Sequence, residues 1–198
     1  MTSSTSRRAP SRGSKSPVVF LDRDGTLIHD RPGFYLRHPG QVRLYPHTAE
    51  ALRRLRRAGF RLVIVSNQSG IGRGYLDHER LRVIHRRLLA ELRRRGARVD
   101  GFYFCPHAPW ENCRCRKPLP TLARRAVREL GLRLRGSWVV GDKKADADLA
   151  RALGVRAVHL GTGHGRAQRE KYGRRLRADH RASTLLSAVN WILRESEK

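Results

Sequence analysis

Acidic residues, cysteines and long apolar runs are all scarce in this chain. Of 198 residues, 17 are Asp or Glu against 43 Lys or Arg, a formal net charge of +26. Such an excess favours contact with polyanions through non-specific electrostatics. It does not by itself make a nucleic-acid-binding protein. No RNA- or DNA-binding motif is visible, and no aromatic platform interleaves with the charge. The arginines cluster instead as Arg53-Arg54, Arg56-Arg57, Arg86-Arg87 and Arg93-Arg94-Arg95, beside leucines at helical spacing. They are expected on solvated helix faces.

No run of 18 apolar residues occurs, so no membrane span is expected. Met1 to Ser16 is rich in Ser, Arg and Pro and lacks the apolar stretch of a secretory signal. It is expected to be a disordered basic tail, with cytoplasmic residence as the default. The three cysteines, Cys105, Cys113 and Cys115, fall within eleven residues. That clustering excludes a disulfide framework and indicates a local metal site. No internal repeat and no second domain are visible, so residues 17–198 are expected to form one domain with one sizeable core. No extra apolar stripe suggests a subunit interface, and a monomer is expected.

What the chain does contain is an alternation of short apolar runs with longer amphipathic stretches. That is the pattern of an α/β fold with a mainly parallel sheet. Strands are expected at Val18–Leu21, Leu62–Val65, Phe102–Phe104, Trp138–Val140 and Val155–Leu160. Helices are expected at His47–Ala58, from an Asp77 cap to about Arg95, at Leu119–Leu130, at Lys144–Leu153 closed by Gly154, and at Ser183–Leu193. Ile28–Tyr45 reads as irregular, and Gly161–Gly173 as a Gly-rich basic loop. Polar residues then gather at strand ends: Asp22 and Asp24, Ser66, Cys105 with His107, and Asp142. In open parallel sheets, ligands bind beyond those ends.

The most informative segment is V-V-F-L-D-R-D-G-T-L, Val18 to Leu27. An apolar strand delivers Asp22 and Asp24, two apart and facing the same way, to a turn closed by Gly25 and Thr26. One carboxylate can attack phosphorus while the other moves the leaving group's proton. A bare D-x-D would be an ordinary acidic turn; the strand before it and G-T-L after it make the pattern specific. Ser66-Asn67-Gln68-Ser69-Gly70 offers a hydroxyl and backbone N–H groups to phosphate oxygens. Arg116-Lys117-Pro118 places a lysine able to neutralise charge developing in a transition state. Val139-Val140-Gly141-Asp142 ends a strand in a carboxylate, with Lys143 next and Asp146 four residues on. Asp22, Asp142 and the main-chain carbonyl of Asp24 make a hard oxygen set suited to Mg²⁺. Cys105-Pro-His107, five residues, then Cys113-Arg-Cys115 supply three thiolates and one imidazole for a closed, structural Zn²⁺ site. Among the histidines only His107 has ligand spacing.

These motifs, in this order, resemble motifs I to IV of the haloacid dehalogenase (HAD) superfamily, and the cysteine loop resembles its capless, zinc-loop branch. The resemblance covers about residues 17 to 195. It implies a three-layer, Rossmann-like α/β fold without a large cap domain. It implies a Mg²⁺-dependent phosphatase working through an aspartyl-phosphate on a small phosphorylated sugar, a sugar bisphosphate. In that pattern Asp22 is the nucleophile and Asp24 the acid–base; Ser66 and Lys117 stabilise the transferring phosphoryl group. Asp30, Arg31, Pro32, Gly33, Asn67, Gln68, Ser69, Arg116 and Lys143 contact substrate. Asp22, Asp24 and Asp142 hold Mg²⁺; Cys105, His107, Cys113 and Cys115 hold Zn²⁺. The five-residue gap in the zinc loop matches the related histidinol-phosphate phosphatases, whereas Q-S-G-I-G-R-G points to the sugar-bisphosphate enzymes. A polynucleotide 3′-phosphatase, using the same chemistry and the positive charge, and a non-catalytic basic nucleic-acid-binding protein are the remaining alternatives.

Overall fold

A computed structural model describes residues 15–31 and 33–197. The expected N-terminal tail falls outside these residues except for its last two, and so does Pro32. Six parallel strands form one sheet in the order β3-β2-β1-β4-β5-β6. They are β1 Pro17–Leu21, β2 Arg61–Asn67, β3 Gly101–Cys105, β4 Arg133–Gly141, β5 Arg156–Leu160 and β6 His180–Ala182. The helices are α1 Thr48–Arg57, α2 His78–Arg94, α3 Thr121–Glu129, α4 Lys144–Leu153, α5 Gly165–Tyr172 and α6 Leu185–Ser196.

Side-chain alternation along the strands builds the three layers. Val19 and Leu21 of β1, with Leu62, Ile64 and Val140, pack under α1, α2 and α6 through Leu52, Leu55, Ile84, Leu88 and Val189. Val18 and Phe20, with Val63, Val65 and Val139, pack under α3 and α4 through Leu122, Ala126, Leu149 and Leu153. β1 is covered on both faces, which is why it reads as an unbroken apolar run. Each fully buried Leu, Ile or Val contributes about 1.5–3 kcal/mol relative to exposure. The clustered arginines of α1 and α2 lie on the outer faces, exposed or half-exposed. Asp77 caps α2 by accepting from the Arg80 N–H at 2.6 Å.

Two expectations are corrected. The stretch Gly161–Gly173 is not one loop: its centre is α5. Glycines at both ends dominate its composition, but Arg166 to Tyr172 contains strong helix formers and no proline. The edge strand β6 was not anticipated; three residues carry too little pattern, and only pairing with β5 reveals it. Among the described residues no segment forms a cap domain over the carboxyl ends of the strands.

Candidate active site

β1 and β4 are neighbours, and the strand order turns back between them. The crevice beyond their ends is therefore the topological switch point. Asp22 leaves β1 there, its N–H donating to the Val140 carbonyl at 3.0 Å. Asp142 leaves β4 beside it, fully buried. The turn after Asp24 needs glycine on two counts. Gly25 has φ +79°, and a Cβ there would stand 2.1 Å from Asp142 Oδ2. The loop after β5 closes the site from the other side. The His164 N–H donates to Asp142 Oδ2 at 2.8 Å, and the Thr162 hydroxyl to the Gly25 carbonyl at 2.6 Å.

Two lysines hold the carboxylates together. Lys117 Nζ lies 2.9 Å from Asp22 Oδ1 and 2.6 Å from Asp146 Oδ1, and donates to the Val65 carbonyl at 2.7 Å. Lys143 Nζ lies 3.5 Å from Asp142, 3.3 Å from Asp30 and 4.0 Å from Asp22. Burial alone would depress both lysines; the carboxylates outweigh it and hold both ammonium groups above their ordinary range. Burial alone would raise Asp22; Lys117 and Lys143 outweigh it and keep Asp22 below the usual carboxylate range. Asp142 goes the other way. Burial pushes it up to about 7, with Asp22 and Asp146 adding to the rise and Lys143 only partly opposing it.

Oxygens of Asp22, Asp142 and Asp146 lie within 4.8 Å of one another. Asp146 has both oxygens engaged, one by Lys117 and one by the Lys143 N–H at 3.0 Å. Asp142 Oδ1 is buried with no hydrogen-bond partner. The donor set fits a divalent cation: the carboxylates cluster, and Asp142 Oδ1 accepts no hydrogen bond, its nearest cation being Lys143 Nζ at 3.5 Å. Asp24's carboxyl group is not in this cluster. It accepts from Arg23 Nε and Nη2 at 3.0 and 2.8 Å and from Gln68 Nε2 at 2.8 Å.

The crevice opens into a cleft of about 1030 Å³ lined by Asp22, Asp24, Asp30, Gly33, Gln68, Ser69, Arg116, Lys117 and Lys143, among others. Asn67 also reaches it, but its side chain is fastened to the backbone of Lys117, donating to the carbonyl at 3.2 Å and accepting from the N–H at 2.9 Å. Ser66 is buried, and its hydroxyl accepts from Gln68 Nε2 at 2.8 Å. Neither Ser66 nor Arg31 lines the cleft; Arg31 is exposed and turned over the Phe34 ring at 5.2 Å.

The donor atoms of Cys105, His107, Cys113 and Cys115 converge. Cys113 Sγ is 3.5 Å from Cys105 Sγ and 3.7 Å from Cys115 Sγ; His107 Nδ1 is 3.6 and 3.3 Å from the sulfurs of Cys105 and Cys115. A tetrahedral zinc ion requires sulfur–sulfur edges of about 3.8 Å and sulfur–nitrogen edges of about 3.6 Å. The four residues fit that ion. Burial raises the Cys105 thiol. At Cys113 burial is outweighed by the backbone N–H groups of Cys115 and Arg116 and by the neighbouring thiols, which bring it down to about 7. The loop runs directly into Arg116, whose Nη1 donates to the His107 carbonyl at 3.2 Å, and into Lys117.

Sequence reasoning missed three members of the site. Asp146 was visible as a second acid, but its grip on Lys117 joins residues 29 apart. His164 comes from the loop after β5, where glycines masked it; its Nε2 lies 3.2 Å from Asp30. Arg23, between the two aspartates, carries no signal of its own.

A parallel sheet with a switch-point crevice, paired aspartates after β1 and an acid after β4 defines a phosphate-handling α/β hydrolase. The family model described as HAD-hydrolase-like matches residues 114–188. The D-glycero-β-D-manno-heptose-1,7-bisphosphate 7-phosphatase of Pseudomonas putida is 36% identical over 154 residues, covering 78% of this chain and 87% of that protein. The crystal structure of the D,D-heptose 1,7-bisphosphate phosphatase of B. bronchiseptica, complexed with magnesium and phosphate, superposes with a TM-score of 0.82 at 31% identity, covering 90% of this chain and 99% of that one. The histidine biosynthesis bifunctional protein of Legionella pneumophila is 35% identical over 147 residues, 74% of this chain but 42% of that protein. The chain belongs to the HAD superfamily, in its capless branch with a Cys/His loop, and is a phosphomonoester hydrolase similar to the heptose-bisphosphate phosphatases.

Proposed function

We propose that this protein removes the 7-phosphate of D-glycero-D-manno-heptose 1,7-bisphosphate through an aspartyl-phosphate. The observation that carries the reading is the buried Asp22 carboxylate, held ionised between Lys117 and Lys143 beside the buried carboxylate of Asp142. An ionised oxygen at the floor of a cleft is the nucleophile that phosphoryl transfer needs. Asp22 attacks phosphorus as the bond to the sugar oxygen breaks, and Asp24 gives that oxygen its proton. Asp24 then takes a proton from the water that attacks the aspartyl-phosphate, releasing phosphate and restoring Asp22. Lys117 and the Ser66 hydroxyl stabilise the phosphoryl oxygens. Asp30, Gly33, Gln68, Ser69, Arg116 and Lys143 face the substrate; Asn67 acts by holding Lys117.

Asp22, Asp142 and the main-chain carbonyl of Asp24 would hold Mg²⁺, which when bound offsets charge on the phosphoryl oxygens. Cys105, His107, Cys113 and Cys115 would hold Zn²⁺ and so fix Arg116 and Lys117 over the phosphate. The domain spans residues 17–198 and acts as a monomer in the cytoplasm; nucleic acid is not its main ligand. The similarity to a histidine biosynthesis protein and the five-residue zinc-loop gap favour histidinol phosphate as the second reading.

The test is phosphate release, with Mg²⁺, from the heptose bisphosphate beside fructose 1,6-bisphosphate, histidinol phosphate and a 3′-phosphorylated oligonucleotide. A kcat/KM preference for the heptose bisphosphate is expected. Preference for another of the four keeps the chemistry and replaces the substrate.

A further inference from the structure

The side chain of Arg23 has no place in the reaction just described, yet it is 2% exposed. It lies between the two aspartates and bends back to one of them. Nε and Nη2 clamp Asp24 in a bidentate pair, at 3.0 and 2.8 Å. Nη1, the remaining nitrogen, lies 3.1 Å from Nε2 of His85 on α2. A guanidinium has only donors, so His85 Nε2 must accept and the ring must be neutral there. Burial, helped by the Arg23 charge, pushes His85 down to about 3, so the ring stays neutral. The ring is itself wedged by aromatics, with centroids 3.6 Å from Phe102 and 5.6 Å from Phe104.

We propose that Arg23 and His85 form a positioning pair that fixes the carboxyl group of Asp24 for proton transfer to the leaving oxygen. The inference rests on the assignment of Asp24 as acid–base. The geometry divides the two carboxyl oxygens. Oδ2 takes bonds from Arg23 and Gln68, whereas Oδ1 takes one, from Arg23 Nε. Oδ1 thus keeps capacity for the sugar oxygen. Arg23 cannot deliver the proton itself, because a guanidinium stays charged. Its contribution is orientation, and orientation at one ångström decides rate. Removing the His85 acceptor leaves Nη1 buried and unpaired, so the guanidinium turns and the carboxyl group turns with it.

The experiment uses leaving groups of different basicity. A sugar alkoxide leaves only with a proton, whereas p-nitrophenolate leaves without one. In His85→Leu, kcat/KM on the sugar bisphosphate, which ends at departure of the sugar and excludes the later water step that both substrates share, is expected to fall by about 10- to 100-fold, within the range general acids supply. On p-nitrophenyl phosphate it is expected to fall less than about threefold. His85→Gln, which returns an acceptor near Nε2, restores most of the loss. Arg23→Lys, which keeps the charge but not the fork, gives the same selective loss and serves where His85→Leu does not fold. Equal losses on both substrates, or wild-type kinetics in His85→Leu, would overturn the pair. Asp24→Asn is the separate control: if it lowers neither substrate, the acid–base assignment itself is wrong, whatever His85 does.

Discussion

The ammonium group of Lys117 stands 2.6 Å from the carboxylate of Asp146, and both side chains are buried. The same ammonium reaches Asp22 at 2.9 Å, so one acid from the start of α4 fixes the cation that fixes the reacting carboxylate. Asp146→Ala leaves Lys117 paired with Asp22 but takes away one buried acceptor from Lys117 and the acceptor of the Lys143 N–H, so it is expected to destabilise the fold by about 1–3 kcal/mol. Urea unfolding of the two proteins measures it.

Asp22→Asn tests the nucleophile. An amide cannot form the acyl-phosphate, so turnover is expected to vanish. Lys117 keeps Asp146 as its partner, so circular dichroism and thermal midpoint should stay near wild type. Normal activity in this variant would remove Asp22 from its role.

The turn at Gly25 makes a sharper geometric prediction. Gly25→Ala forces a methyl onto Asp142 Oδ2 at a backbone angle that side chains avoid. The carboxylate must move, so the Mg²⁺ concentration needed for half-maximal activity is expected to rise by about tenfold or more. A Mg²⁺ titration of initial rates is the check.

Stripping the cysteine loop should cost activity through position, since none of its four side chains touches Asp22. Cys113→Ser, or exhaustive chelation, is expected to release about one zinc per chain and to lower kcat together with the protease resistance of residues 106–118. Zinc release with unchanged kcat would separate the loop from Arg116 and Lys117.

His85 gives a pH prediction. Its folded value, about 3, lies below its ordinary 6.5. The unfolded chain thus binds a proton below about pH 6.5 that the folded chain refuses. Stability contributed by the neutral ring is present above 6.5 and is lost as pH falls from 6.5 towards 3. His85→Gln should flatten that part of the curve, measured as urea midpoints at about pH 7 and about pH 5.

Most of the fold was legible because its strands are apolar runs with polar ends. β1 delivers Asp22 and β4 delivers Asp142 where the pattern placed them, and α4 begins and ends at the expected residues. The site's chemistry was legible where residue type alone implies it, as in the cysteine loop. Pairing between distant polar groups was not legible. Nothing at position 146 announces Lys117, and nothing at position 85 announces Arg23. Asn67 and Gln68 both line the cleft, as the resemblance implies, but nothing in the sequence announced that the Asn67 amide also bonds Lys117 and the Gln68 amide Asp24 and Ser66. Helix α5 was hidden for a different reason: the glycines that bound it outweighed the helix formers between them.

The strand order has one more consequence. β3, β2 and β1 come from the first part of the chain, and β4, β5 and β6 from the last. The β1–β4 junction is thus a seam between two contiguous halves, and Asp22 and Asp142 stand on opposite sides of it. The first half carries the reacting carboxylates, Asp22 and Asp24, and the last half carries Asp142, so neither completes the cation site alone. Turnover therefore reports directly on how well the halves are docked, and a loosened seam silences the enzyme while each half-sheet keeps its own hydrogen bonds.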